Sequence, residues 1–389
     1  MDDQSALPSV TVTRKGADRL VSGHPWIFRS EIDPATDAAA GALVRVLDQR
    51  SRHLGVAHYS TTSQIALRYL GRSSDEANLA RRIAEAQKFR AQVVTDSNAY
   101  RLVHGEADGL PGLVVDRYGD CFAVQFLSQG MDRAMPEIVA ALDAQFSPRA
   151  IIARNDAAVR TLEGLPREVK LLAGSLHGAV EIAMNGFRME VDLLHGQKTG
   201  VFLDQRENYL AAARYANGSA LDCFTSTGGF ALHLARVCRQ VEAIDSGAAV
   251  LACAARNAAN NGIDNIDFRD ADVFDVLASH ASGRRVFDLV VLDPPAFAKA
   301  KKHLDGALRG YKDINLRALK LLGPGGVLVT CSCSHHLSEA HLLQLVAEAS
   351  LEAGKTLRVL ERRTQAQDHP ILLTVPETHY LKCVILQVA

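Results

Sequence analysis

Net charge is almost absent from this chain: 43 Lys and Arg stand against 44 Asp and Glu, leaving −1 over 389 residues. A basic polyelectrolyte is excluded, so any attraction to nucleic acid has to come from local patches whose Lys and Arg reach phosphates. No window approaches the roughly 20 unbroken apolar residues of a membrane span. The first eight residues carry two acids and no apolar run, which does not read as a signal peptide. The seven cysteines are odd in number and include no Cys-x-x-Cys pair, so zinc and dithiol redox signatures are missing and no metal is expected. They read as reduced thiols in the cytoplasm. Internal repeats and low-complexity tracts are missing as well.

What is present is ordinary soluble composition, 48% hydrophobic and 22% charged. A single core stops growing at roughly 250 to 300 residues, so at least two domains are expected. Short alternating runs (Val10–Val12, Ala42–Leu47, His53–Tyr59, Ile65–Leu70) punctuated by Gly and Pro predict a small β-barrel over residues 1–73. Within it, Lys15 to Arg29 interleaves basic residues with Trp26 and Phe28, a pattern that suits an RNA-contacting surface or, in the plainer reading, core aromatics with solvated charges. Residues 74–186 predict a small α+β module: a helix from Asp75 to Asp96, hairpin-like strands from Tyr100 to Leu127, a helix over Met131–Phe146 and a strand at Ala150–Ala153. From residue 187 to 389, near-continuous apolar strands alternate with helices, which means a parallel sheet covered on both faces. Ligands in such sheets bind beyond the carboxyl ends of the strands.

Three acids fall at consecutive strand ends, Asp222, Asp245 and Asp272, spaced 23 and 27 residues apart. After Asp222, the turn through Phe224 and Thr227 to Gly228 and Gly229 lets a ligand approach the backbone, since a Cβ there would obstruct it. Its spacing is not the Gly-x-Gly-x-x-Gly of dinucleotide folds, so a nicotinamide cofactor is disfavoured. Asp245, with Ser246 beside it, suits the two hydroxyls of a ribose; Asp272 suits an adenine amino group, with Val273 and Phe274 flanking the ring. Together they point to an adenosyl ligand. Upstream, the segment from His195 through Phe202 and Gln205 to Arg206 is expected to close over it, with Lys198 and Arg206 supplying charge for a carboxylate.

The opposite chemistry sits on the last two apolar strands. Asp293-Pro294-Pro295-Ala296-Phe297 places an acid at a strand end and then two rings that stiffen the backbone and remove two N–H donors. That turn is suited to gripping a planar base, with Pro294, Pro295 and Phe297 in contact. Cys331 and Cys333 end the next strand; Cys333 lies further toward the ligand crevice and is the better nucleophile, while Cys331 fits a small buried hydrophobe. A thiolate that attacks carbon 6 of cytosine turns the ring into an enamine able to accept a methyl group at carbon 5. Asp293 is then expected to hydrogen-bond or protonate ring nitrogen 3 as charge develops there. The base that removes the carbon 5 proton is not legible. An alternative is amine methylation of adenine or guanine, because the Asp293–Phe297 segment also resembles a motif that grips an exocyclic amine; another is a ribosome-binding factor without turnover.

With these residues in view, the chain resembles the bacterial large-subunit ribosomal RNA cytosine-5 methyltransferases of class I type that carry an N-terminal PUA domain. The resemblance runs over essentially the whole length: Lys15-Gly16, His24 to Phe28, Gly200 to Asp204, Thr227 to Phe230, Asp293-Pro294-Pro295, Arg309 to Asn315, Ser332-Cys333-Ser334, Asp368-His369-Pro370 and Pro376-Glu377-Thr378. It implies a PUA barrel, a central α+β domain and a Rossmann-like methyltransferase domain. It further implies S-adenosylmethionine as donor, Cys333 as nucleophile, and large-subunit ribosomal RNA as partner contacted by Lys15, Arg29 and Lys312. A homodimer is compatible with it, a membrane partner is not.

Overall fold

The computed structural model describes residues 7–33, 37–196, 199–297 and 304–389. The chain divides into two compact units. One comprises Met1–Ala183, Val191–Val201 and Gln367–Thr378, the other Met184–Glu190, Phe202–Ala366 and His379–Ala389.

In the first unit, β1 (Ser9–Thr11), β2 (Trp26–Phe28), β3 (Leu43–Leu47), β4 (His53–Tyr59) and β5 (Ile65–Gly71) form a curled sheet in the order β1-β3-β4-β5-β2. Val10, Ile27, Val44, Val46, Ala57 and Leu67 fill its core. The basic stretch after β1 is a short helix, α1 (Arg14–Val21), which the sequence pattern did not announce; Thr13 Oγ1 caps it by accepting from Gly16 N at 3.3 Å. A second sheet follows, made of β6 (Ala99–His104), β7 (Leu113–Tyr118), β8 (Cys121–Phe126), β9 (Ala150–Arg154) and β10 (Val169–Gly174), in the order β10-β9-β8-β7-β6. Helices α2 (Leu79–Val93), α3 (Gln129–Arg133) and α4 (Met135–Phe146) accompany it, Ile83, Ile138 and Leu142 packing on Leu102, Phe122 and Val124. The returning segment 367–378 is tied into this unit by charge: Asp368 Oδ2 accepts from Arg101 N at 2.8 Å, and the buried Arg90 donates to the Asp368 carbonyl at 2.8 Å while pairing with Asp108.

A two-stranded sheet, β11 (Val180–Met184) with β12 (Phe187–Val191), precedes the large sheet. That sheet has seven strands: β13 (Ser219–Cys223), β14 (Gln240–Asp245), β15 (Ile266–Asp270), β16 (Phe287–Leu292), β17 (Leu322–Ser332), β18 (Leu357–Arg363) and β19 (Lys382–Val388), in the order β15-β14-β13-β16-β17-β19-β18. The first five are mutually parallel, as the apolar runs predict; β19 and β18 join antiparallel. The edge strand β18 reads Leu-Arg-Val-Leu-Glu-Arg-Arg, and charge on an edge strand blunts pairing with other chains while hiding the strand from an apolar pattern. Helices α5 (Arg206–Ala213), α6 (Gly229–Ala235), α7 (Ala248–Asn260), α8 (Val273–Ser282), α9 (Leu304–Lys320) and α10 (Glu339–Glu352) complete this unit.

Candidate active site

Every reactive group of interest sits where β13 to β17 end. β13 runs into a turn in which Phe224 and Ser226 take φ values of 66° and 51° and Gly228 takes 90°. Two non-glycine residues in the left-handed region within three positions is backbone strain of the kind concentrated at functional sites. Asp222 holds the turn: its Oδ2 accepts from Thr225 Oγ1 at 2.6 Å and from Ala231 N, in the first turn of α6, at 3.0 Å. Burial pushes its carboxyl up to about 7, and the neighbouring Asp293 and Asp245 charges add to the effect. Asp222 Oδ1 and Ser226 Oγ are buried polar atoms without a hydrogen-bond partner. At Gly229 a β-carbon would lie 2.4 Å from Cζ of Tyr209, so only glycine fits against that ring.

Asp245 ends β14 half-buried, its two oxygens accepting from Ser226 N at 2.9 Å and Gly247 N at 3.1 Å, with lone pairs left toward solvent; Ser246 beside it is exposed. Asp272 is exposed and caps α8, Oδ1 accepting from Phe274 N at 2.7 Å. Val273, expected beside a ring, is instead a core residue at 3% exposure, because the first apolar position of α8 turns onto the sheet. Phe274 stays at the edge, and its ring lies 6.3 Å from that of Phe297, which is 4.7 Å from Tyr311. Phe202 is half-buried and Gln205 fully buried. Arg206 corrects another expectation: it opens α5 at 2% exposure with its guanidinium 3.4 Å from Glu207, so its charge is already met within the unit. Lys198 lies outside the described residues.

Asp293 follows β16 and Cys333 follows β17, and the parallel register of Leu292 with Thr330 brings both to the same end of the sheet. Asp293 is half-buried, Pro294 buried and Pro295 exposed. Tyr311, on α9, links the two: its hydroxyl accepts from Ser332 Oγ at 2.9 Å, and burial, with the nearby Cys333 and Asp293, pushes it up to about 12. Cys331 has no exposed surface, and burial followed by contact with Cys383 across the strand pair raises its thiol well above the ordinary range. Cys333 lies one residue beyond the strand and is half-exposed, so the two thiols differ as the sequence suggested. Lys382, which the sequence reading passed over, faces this turn: its Nζ donates to the carbonyls of Ser334 at 2.6 Å and Tyr380 at 2.8 Å. A lysine inside the apolar run Leu381-Lys382-Cys383-Val384 was the available signal.

Two residues expected at an RNA contact are engaged elsewhere. Lys312 pairs with Glu352 at 2.5 Å and Glu348 at 3.4 Å, because its position on α9 faces α10. Arg29 donates to Tyr59 Oη at 3.2 Å, Ser63 O at 3.0 Å and Ser60 O, closing a turn of the curled sheet. Lys15 remains on the surface, its side chain 76% exposed and 3.3 Å from Glu31. Trp26 is half-buried and its Nε1 donates to Glu106 at 2.8 Å, so it lies between the two earlier readings.

Residues 10–72 match the model of a PUA-like domain, and residues 155–384 match that of the S-adenosylmethionine-dependent methyltransferases. The chain is similar to the ribosomal RNA large subunit methyltransferase I of Klebsiella pneumoniae, 38% identical over 97% of this chain and 98% of the relative. The protein of the same name from Shewanella denitrificans is 41% identical over 96% and 98%. Among solved structures, a methyltransferase complexed with SAH superposes with a TM-score of 0.84 at 19% identity, covering 98% of this chain and 100% of that one. A SAM-dependent methyltransferase from Streptococcus mutans superposes with a TM-score of 0.82 at the same identity and coverage.

Proposed function

The chain belongs to the S-adenosylmethionine-dependent methyltransferase family, among the relatives named ribosomal RNA large subunit methyltransferase I, and we propose that it forms 5-methylcytosine in large-subunit ribosomal RNA through a covalent adduct of Cys333. The observation that carries this reading is the pairing of a half-exposed thiol with a carboxylate at the ends of adjacent strands, Cys333 after β17 and Asp293 after β16.

The residues present fit the cofactor. Asp245 keeps lone pairs for a ribose diol, the Gly228-Gly229 turn offers bare backbone, and the unpartnered Asp222 Oδ1 and Ser226 Oγ lie at the same strand ends. When bound, S-adenosylmethionine supplies an electrophilic methyl group on a sulfonium. The protein's own work lies on the other reactant. Cys333 Sγ bonds to carbon 6 while the Asp293 carboxyl, in its protonated form, donates a hydrogen bond to nitrogen 3 as negative charge arrives there. Carbon 5 then takes the methyl group and gives its proton to a water molecule acting as base, and the carbon 6–sulfur bond breaks to return the thiolate. Phe297 and the ring of Pro295 offer a planar floor for a base removed from its stack. Lys15 and the exposed basic face of α1 supply the phosphate contact that a PUA-like domain would make.

Tritium transfer from labelled S-adenosylmethionine to unmodified large-subunit RNA, followed by nucleoside analysis, tests the reading. Labelled 5-methylcytosine in wild type that falls at least ~1000-fold in Cys333→Ala is expected, given the effect of removing a covalent nucleophile. A methylated purine made equally by both proteins would replace the reading with amine methylation.

A further inference from the structure

A thiol is a nucleophile only as its thiolate, and neither Asp293 nor the neutral Tyr311 hydroxyl supplies a positive charge to hold that form. Asp293 and Tyr311 stand on the same side, and both thiol and carboxylate raise the Tyr311 hydroxyl. A cation is needed. Across the antiparallel pair of β17 and β19, Lys382 is the partner of Ser332, the residue before Cys333. Its side chain is drawn inward, leaving 3% of the residue exposed, and its two hydrogen bonds go to neutral carbonyls, Ser334 O and Tyr380 O, which orient the amine without cancelling charge. Among the described residues the anionic groups acting on it are Cys333 and Glu339, and Glu339 on α10 is itself paired with Arg362 on β18. His335 and Tyr380 stack nearby and bring no anion at neutral pH. Burial lowers the amine to about 8, so it passes between charged and neutral forms close to physiological pH.

Building on the cysteine reading above, we propose that Lys382, as its ammonium, is the positioning residue that holds the Cys333 sulfur as a thiolate in an ammonium–thiolate pair. The S–H bond breaks and its proton passes to water, with no other reactant needed. When the adduct collapses and the sulfur leaves carbon 6, it returns to the same ammonium and the pair is restored.

The test is the rate of Cys333 alkylation by iodoacetamide in the full-length protein without RNA or cofactor, followed by mass spectrometry of the Cys333 peptide. Cys253, the other partly exposed thiol, is the internal reference. Lys382→Gln, which keeps a donor and removes the charge, is expected to slow Cys333 alkylation at pH 7 about tenfold, the change in thiolate fraction when a thiol rises by one pH unit. Lys382→Arg should recover wild-type rate to within about threefold on the same scale, and Cys253 should be unaffected in both. A purely structural lysine would leave the Cys333 rate unchanged in Lys382→Gln, and that result overturns the proposal. If Lys382→Gln misfolds, seen as fast labelling of the buried cysteines, the wild-type pH profile decides: a Cys333 midpoint no lower than that of Cys253 sinks the idea. Because labelling involves no methyl transfer, failure here is separable from failure of the covalent reading, which Cys333→Ala tests.

Discussion

Cys331 and Cys333 stand two residues apart on one strand end and differ in everything that decides reactivity. Cys331 is sealed in the core against Cys383, and Cys333 emerges beyond the ladder. Cys331→Ala should therefore keep methyl transfer and lose about 1 kcal/mol of stability, the usual cost of a small core truncation; an inactive but stably folded Cys331→Ala would reverse the assignment. Asp222 makes a prediction with a definite sign. Its folded value of about 7 lies above that of an ordinary carboxylate, so the folded protein holds a proton that the unfolded chain has already shed. The associated stability is complete in acid and is lost as pH rises from about 4 through about 7. In calorimetry without cofactor, Asp222→Asn should lose less melting temperature than wild type between pH 5 and pH 8. Parallel profiles for the two proteins would mean that Asp222 keeps an ordinary carboxylate. At this scale the strand-end acids and the difference in burial between the two thiols were legible, because apolar runs mark where strands stop. The orphaned oxygens were not, since burial is a property of neighbours from distant segments, and Lys382 left only the signal of a lysine within an apolar run.

Among the elements, the turn from β13 into α6 and the pair α9–α10 show how local fit sets function. Gly229→Ala would press a β-carbon onto the Tyr209 ring, and overpacking of that kind costs about 1–3 kcal/mol. The expected outcome is a lowered urea midpoint together with weaker S-adenosylmethionine binding by calorimetric titration; unchanged affinity would detach the turn from the cofactor. Lys312 was assigned to substrate by its place in a recognisable segment, but its helix face decided otherwise. Lys312→Ala should leave RNA affinity within about twofold and barely move the urea midpoint, as exposed ion pairs do. A large loss of RNA affinity would restore the first assignment. The antiparallel strands β18 and β19 escaped the sequence pattern because strand direction is set by pairing, and no residue of a strand encodes which neighbour it will meet.

For the whole molecule, chain order and compact unit do not coincide. Residues 191–201 and 367–378 belong to the first unit, where Thr199 donates to Asp116 at 2.5 Å and Asp368 meets Arg90 and Arg101. A fragment of residues 187–389 would carry both segments without these partners, so it should unfold at lower urea than the full chain, and equal midpoints would show the segments to be dispensable. Net charge of −1 means that RNA affinity rests on a few local contacts. Lys15→Ala should reduce the slope of log affinity against log salt by about 0.7 to 0.9, one phosphate contact. The sequence alone determined the class of fold and the strand ends at which the candidate acids and thiol stand, because hydrophobic period is local. Only the tertiary structure decided which charges are met within the protein, as at Arg29, Arg206 and Lys312, because a charge is met only where folding brings a partner to it.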